Sequence, residues 1–346
     1  MIKLLNYFFK KRLQLITILS VILAIIVFII SYDNNYVHDT RVYDYATGAY
    51  FTVSTPVNVP FDSLRILVII LVIVIPIFEF SFKMKKISID QMYSLPIKRE
   101  KLYITKYLVG LIEIIIPITI SFLFMVLLII CKENMFKTLF FIPYYFGLII
   151  ITTILYTLVV FIFTRCNNVI DGVVLIGLYL LVFLLLVSAI KTRVNWSFLQ
   201  YISNFSIFTP LSTFDDYMGS FICNKNPSES IINEFMWSLI VEIILFVIMT
   251  VLFFVLLKKQ KAEDAEQISN SYFGYNLMIP LYLFSIFTIE INASQTLIII
   301  ILALIGAYIG YIIKNRSFKP KKMDLILTGV SVVCSILFVL ITGLFR

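Results

Sequence analysis

The sequence predicts an all-α polytopic membrane protein, on three observations. Apolar residues make up 61% of the 346-residue chain and charged residues only 14%, with a mean hydropathy of +1.01, which is more apolar surface than a soluble domain can hide. Apolar runs of about 20 residues, the length that crosses roughly 30 Å of hydrocarbon as a helix, recur along the chain. Lys and Arg cluster in alternate connecting segments, the pattern of a multi-pass protein sorted by charge. The formal net charge of +8 therefore points to basic loops on one side of a membrane, not to nucleic acid. Four cysteines, Cys131, Cys166, Cys223 and Cys334, are too few and too scattered for a disulfide framework or a metal site.

The first apolar run covers residues 13–31. Tyr32-Asp33-Asn34-Asn35 follows it in place of a small-residue cleavage site, so it is expected to stay in the protein as a span. Further runs lie at 64–82, 107–131, 143–163, 169–190, 235–257, 273–291, 296–313 and 324–344, giving nine expected spans. Pro280 interrupts the seventh, and only about four residues separate it from the eighth, so a count of eight stays open. With the N-terminus in the cytoplasm, twenty of the 28 Lys and Arg fall in the inner segments 3–12, 83–106, 165, 258–261 and 314–322. The positive-inside rule selects that orientation and places the C-terminus outside. The long outer segments are 32–63 and 191–234, and the one long inner segment is 83–106. No internal repeat or Gly/Ser-rich linker marks a soluble domain.

Catalysis is argued against by what is missing. His38 is the single histidine, so His-pair zinc sites, Ser-His-Asp triads and Cys-His dyads inside the membrane lack their parts. No Gly-x-x-x-x-Gly-Lys-Ser/Thr string occurs, so the chain is not expected to bind ATP through a P-loop of its own. No catalytic residue, metal or bound cofactor is expected, and the chain is not expected to be an enzyme.

In the inner segment, Ile89, Met92 and Tyr93 share one face of a short helix, which Pro96 ends, and Lys98 to Lys106 lead into the third span. Such a basic amphipathic knob either lies on anionic headgroups or docks a soluble partner. The string Asp90-Gln91-Met92-Tyr93-Ser94-Leu95-Pro96-Ile97-Lys98-Arg99-Glu100-Lys101-Leu102, followed by Lys106 and Gly110, resembles the coupling-helix signature of ABC-2 type permeases. In that family the pattern also sits between spans two and three.

The resemblance implies a type V exporter-like six-helix core over residues 1–257, with coupling helix 87–95, and about three extra spans in 258–346. It implies a second permease subunit, of the same or a related chain, and a separate cytoplasmic ABC ATPase that carries the ATP and Mg. The residues it assigns to ATPase docking are Ile87, Ile89, Asp90, Met92, Tyr93, Leu95 and Pro96. Ile2, Leu5, Phe8 and Phe9 beside Lys10, Lys11 and Arg12 suit the family's N-terminal interfacial helix, and Ser206-Ile207-Phe208-Thr209-Pro210-Leu211 resembles its outer re-entrant segment, here about 196–220. The Lys261-Ala262-Glu263-Asp264-Ala265-Glu266 tail start and the runs after it resemble longer permeases of Gram-positive peptide-resistance and peptide-export operons, including the phenol-soluble-modulin exporter type. A bacterial cell-membrane exporter of an amphipathic peptide or lipid-like substrate, with a part in antimicrobial peptide resistance, is the function so implied.

Acidic residues inside spans cost several kcal/mol and usually have a reason. Glu79 and Asp171 lie near inner ends, within reach of Lys83 and Arg165. Glu113 and Glu242 lie about two turns inside their spans, either lining a polar substrate path or making interhelical hydrogen bonds; Glu290 is a further candidate. The outer segment carries Tyr32, Tyr36, Tyr43, Tyr45, Tyr50 and Phe51 among Asp33, Asp39, Asp44 and Asp62, either an interfacial belt or an acidic vestibule for a cationic peptide. Gly306 and Gly310 form a close-packing face with an unnamed partner. Two other readings stay open: a proton-coupled secondary transporter relaying through Glu113 or Glu242, and a non-transporting scaffold or sensor.

Overall fold

The computed structural model describes residues 2–33, 37–44, 49–56, 61–94, 96–132, 136–193, 206–257, 265–267, 271–289 and 293–344. In chain order the elements are α1 (Ile2–Asp33), β1 (Val37–Asp44), β2 (Ala49–Pro56), α2 (Phe61–Phe80), α3 (Lys86–Tyr93), α4 (Arg99–Lys132), α5 (Phe141–Phe163), α6 (Val169–Arg193), α7 (Thr209–Ile222), α8 (Glu229–Leu257), α9 (Tyr275–Thr288), α10 (Ala293–Asn315) and α11 (Lys322–Leu344). Among the described residues, eight helices are long and apolar enough to cross a membrane, the architecture of an all-α polytopic membrane protein.

Three features depart from the expected layout. Ile2–Asp33 is one unbroken helix, so the expected N-terminal interfacial stretch runs straight into the first span, with no Gly or Pro to break it. The segment after α1 adds a hairpin, β1 pairing antiparallel with β2 from Val37↔Pro56 to Asp44↔Ala49. The β-prone run Tyr50-Phe51-Thr52-Val53 accounts for a strand there. The seventh apolar run yields only the 14-residue α9, about 21 Å of helix against roughly 30 Å of hydrocarbon.

The chain divides into two compact units, Met1–Ile75, Thr105–Ile154 and Pro210–Met236 forming one, and Pro76–Ile104, Leu155–Thr209 and Trp237–Arg346 the other. The first is organised around aromatic rings. Tyr144 of α5 stacks on Phe61 of α2 at 4.0 Å and on Phe214 of α7 at 5.4 Å, offset geometries that add to the burial of large rings. A Cβ on Gly147 would overlap the Phe214 ring, so glycine is what lets α7 seat its ring on α5.

In the second unit α9 packs against α6, α10 and α11. Cβ atoms on Gly306 and Gly310 would lie 2.7 Å from Tyr282 and 3.1 Å from Ile279, so the partner of that small-residue face is α9. Polar bonds tie α9 to both ends of α6. The Tyr275 hydroxyl donates to Asp171 O at 3.1 Å and that of Tyr179 to Phe273 O at 2.6 Å, while Arg193 Nε donates to Thr288 O at 2.9 Å.

Candidate functional site

The short helix α3 is held by its own unit from below and left open above. A 3-10 turn, Ser81–Met84, precedes it, with Phe82, Lys83 and Met84 buried, and the Lys83 ammonium donates to Thr164 O. At the start of α3 the Lys86 N–H donates to Glu266 Oε1 at 3.2 Å, a carboxylate at the positive end of a helix. The Glu266 N–H in turn donates to Asn167 O at 3.0 Å. Arg316 Nη1 donates to Glu266 O at 3.4 Å, and Arg316 Nη2 lies 3.8 Å from Asp171 Oδ2. Four segments far apart in sequence, at 81–94, 164–171, 265–267 and 314–321, therefore meet around one glutamate.

Glu266 and Arg316 have φ of 64° and 50°, a left-handed conformation costing about 1–2 kcal/mol for a residue with a Cβ. Strain of this kind persists where neighbouring bonds over-determine the backbone, and the Asn167 and Glu266 bonds do so here. Sequence reasoning noticed the charged tail start but gave Glu266 no role, since no local motif marks it.

At the far end of α3 the Ser94 N–H donates to Asp90 O at 3.0 Å. Tyr93 reaches the Tyr103 hydroxyl at 3.3 Å and carries the Arg99 guanidinium 4.4 Å from its ring centre. Of the residues assigned to docking, Ile89 is buried within this chain, Met92 and Tyr93 are half-buried, and Asp90 and Pro96 are exposed. Ile87 is 77% exposed. Leu95 lies outside the described residues. The open face therefore runs through Ile87, Asp90, Gln91 and Ser94, at helical spacing. Ile89 acts on the opposite face as the anchor that seats the knob.

Beneath this platform Arg165 is buried, donating from Nε to Phe161 O at 3.4 Å and from Nη2 to Thr164 Oγ1 at 3.2 Å, with its guanidinium 5.0 Å from the Phe161 ring centre. Burial pushes it down to about 10. The carboxylate expected beside it, Asp171, is paired with Arg316 instead, because Arg165 turns back onto the end of its own helix. Glu79 is fully buried.

The two carboxylates expected along a substrate path differ in company. Glu113, 2% exposed in the first unit, has Arg12 Nε of α1 at 3.9 Å. Glu242, 2% exposed in the second unit, has no hydrogen bond to either side-chain oxygen among the described residues. It lies on the one buried seam of α8, with Ser238, Met249 and Phe253. Glu290 and most of the outer aromatic residues lie outside the residues whose side chains are described.

The first unit holds a polar cluster that sequence reasoning missed. The Tyr144 hydroxyl donates to Asp215 Oδ1 at 2.9 Å, and Arg65 Nη1 lies 3.9 Å from Asp215 Oδ2 while also bonding Asp62. Burial pushes the Asp215 carboxyl up to about 8. The only signal in the sequence was an acidic pair, Asp215-Asp216, on a helix whose neighbouring Leu211, Phe214 and Met218 face inward.

No protein-family model, curated protein or solved structure matches the chain. Among the described residues no three His, Cys, Asp or Glu side chains gather as a metal site.

Proposed function

We propose that the chain is the transmembrane subunit of an ATP-driven exporter of ABC-2 type, in a bacterial cell membrane with its N-terminus in the cytoplasm. On this reading a soluble ABC ATPase docks on α3, a second permease completes the path, and an amphipathic peptide or lipid-like molecule moves outward from the cytoplasm or inner leaflet. The observation that carries the reading is the seating of α3. An eight-residue helix with an open face through Ile87, Asp90, Gln91 and Ser94 is bonded to three other segments through Glu266. A push on such a helix is shared by the α5–α6 connection, the tail and the start of α4, which is how a docked motor moves helices as bodies. The Asp90-to-Leu102 string supports the same reading, as does a chain without a phosphate-binding loop, which needs its energy from elsewhere.

The test is affinity purification of the tagged full chain in mild detergent. A soluble ATPase and a second permease, or a second copy of this chain, should accompany it, and ATP turnover by the assembly should respond to substrate. Recovery of the chain without any ATPase under conditions that keep it folded would sink the reading. One observation favours the proton-coupled alternative: the buried Glu242, which has no hydrogen bond among the described residues, since intramembrane carboxylates serve as proton relays.

A further inference from the structure

We propose that the tail of the second unit carries a binding site for an anionic phospholipid, at the recess between α9, α10 and α11. The recess has a volume of about 540 Å³, within the range of small-molecule sites. Its walls include Leu277, Met323 and Leu327, with Lys321 and Tyr272 on its lining.

The charges around it sum to a positive balance. Asp324 is the carboxylate of the recess, and it is fully committed. It accepts from Lys314 Nζ at 2.5 Å, from Asn315 Nδ2 at 2.6 Å and from the Lys321 N–H at 3.0 Å. Lys314 is thereby neutralised, and Arg316 is held by Asp171 and Glu266 O. Lys319, Lys321 and Lys322 are exposed, and none has a carboxylate partner among the described residues. Lys321 and Lys322 also stand at the start of α11, whose first turn carries Asp324. Basic residues so placed either stay hydrated or recruit a phosphate.

Depth selects a lipid over a free anion. The apolar spans end at Asn315 and begin again at Lys322, so Lys321 lies where hydrocarbon meets headgroups. Tyr272, Phe318 and Met323 are 87%, 78% and 65% exposed, apolar side chains of the kind that settle at that level. A phosphodiester on Lys321 leaves its acyl chain along Met323, Leu327 and Leu277. A zwitterionic headgroup brings its own cation to the same lysines and gains less.

The full chain, delipidated in neutral detergent, is to be offered phosphatidylglycerol or phosphatidylcholine of equal acyl length, and retained lipid counted by native mass spectrometry. Phosphatidylglycerol should be retained in preference. Lys321→Gln should lower its retention about fivefold and leave phosphatidylcholine unchanged. Lys321→Arg should restore binding, and Lys225→Gln, an exposed lysine of the first unit, should change nothing. Equal retention of the two lipids, or a Lys321→Gln variant that binds like the parent while melting at the same temperature, overturns the proposal. So does inorganic phosphate raising the melting temperature as much as phosphatidylglycerol does, since that marks a free-anion site.

Discussion

Asp215→Asn should make the first unit more stable at neutral pH and remove most of its pH dependence. Asp215 is 4% exposed on α7. Its carboxyl is pushed up to about 8 by burial, against the opposing pull of the Tyr144 hydrogen bond and the Arg65 charge. In the unfolded chain the same group titrates at about 3.9. Between those values the folded state holds a proton that the unfolded state has released, so rising pH favours unfolding. The stability tied to Asp215 is greatest below about pH 4 and is lost up to about pH 8, at about 1.4 kcal/mol per unit and at most about 6 kcal/mol in all. For a cooperative unit of about 150 residues, one pH unit then shifts the melting temperature by about 3–6 °C. Asn keeps an oxygen for the Tyr144 hydroxyl and carries no proton to lose. Melting of the purified chain in neutral detergent from pH 5.5 to 8 measures the effect, Asp215→Asn against the parent. A raised carboxyl at Asp216 leaves a residual slope in both proteins. Equal slopes in the two would refute the reasoning, because Asp215 would then be ionised in the folded state throughout.

The other expectations concern the knob, the sidedness and the energy source. Ile87→Asp, on the open face of α3, should abolish ATPase co-purification without changing melting temperature, because seating a carboxylate in a protein cleft desolvates it; Ile89→Asp should instead lower the melting temperature by burying a charge. In a cysteine-free background, cysteines at Ser88 and Ser317 should both react with an impermeant thiol reagent only after permeabilisation, and one at Ser228 should react in intact cells; the reverse pattern overturns the orientation. Transport should need hydrolysable ATP and survive a protonophore, with Glu242→Gln costing little; loss of transport under both treatments would favour proton coupling.

The spans were legible because a helix in lipid needs a long apolar run, and that property is written one residue at a time. Residues 143–163 and 169–190 map closely onto α5 and α6. What could not be read were meetings between distant segments. Ile89 and Ile87 are the same letter two positions apart, yet one is 2% and the other 77% exposed, and only packing on the rest of the unit distinguishes them. Arg165 and Asp171, six residues apart, looked like partners, but Asp171 is served by Arg316 from the other end of the chain. Asp215 was hidden for the same reason, since its burial depends on Tyr144 and Arg65 from α5 and α2.

The short α9 shows how the two kinds of information combine. By length it fails as a span, and a chain that did not cross there would put Lys314 to Lys322 on the opposite side from Lys83 to Lys106. The bonds argue against that. Tyr275 holds the start of α9 at Asp171, and Arg193 holds its end at Thr288 O, so α9 runs beside α6 from one end to the other. Arg316 then returns to Asp171 and to Glu266, whose carboxylate accepts from Lys86. The basic segments around Lys83 to Lys86, Arg165 and Arg316 are thus joined by hydrogen bonds within the second unit. Packing against α6, α10 and α11 surrounds these fourteen residues with protein, the setting in which a helix shorter than the hydrocarbon is tolerated at membrane depth.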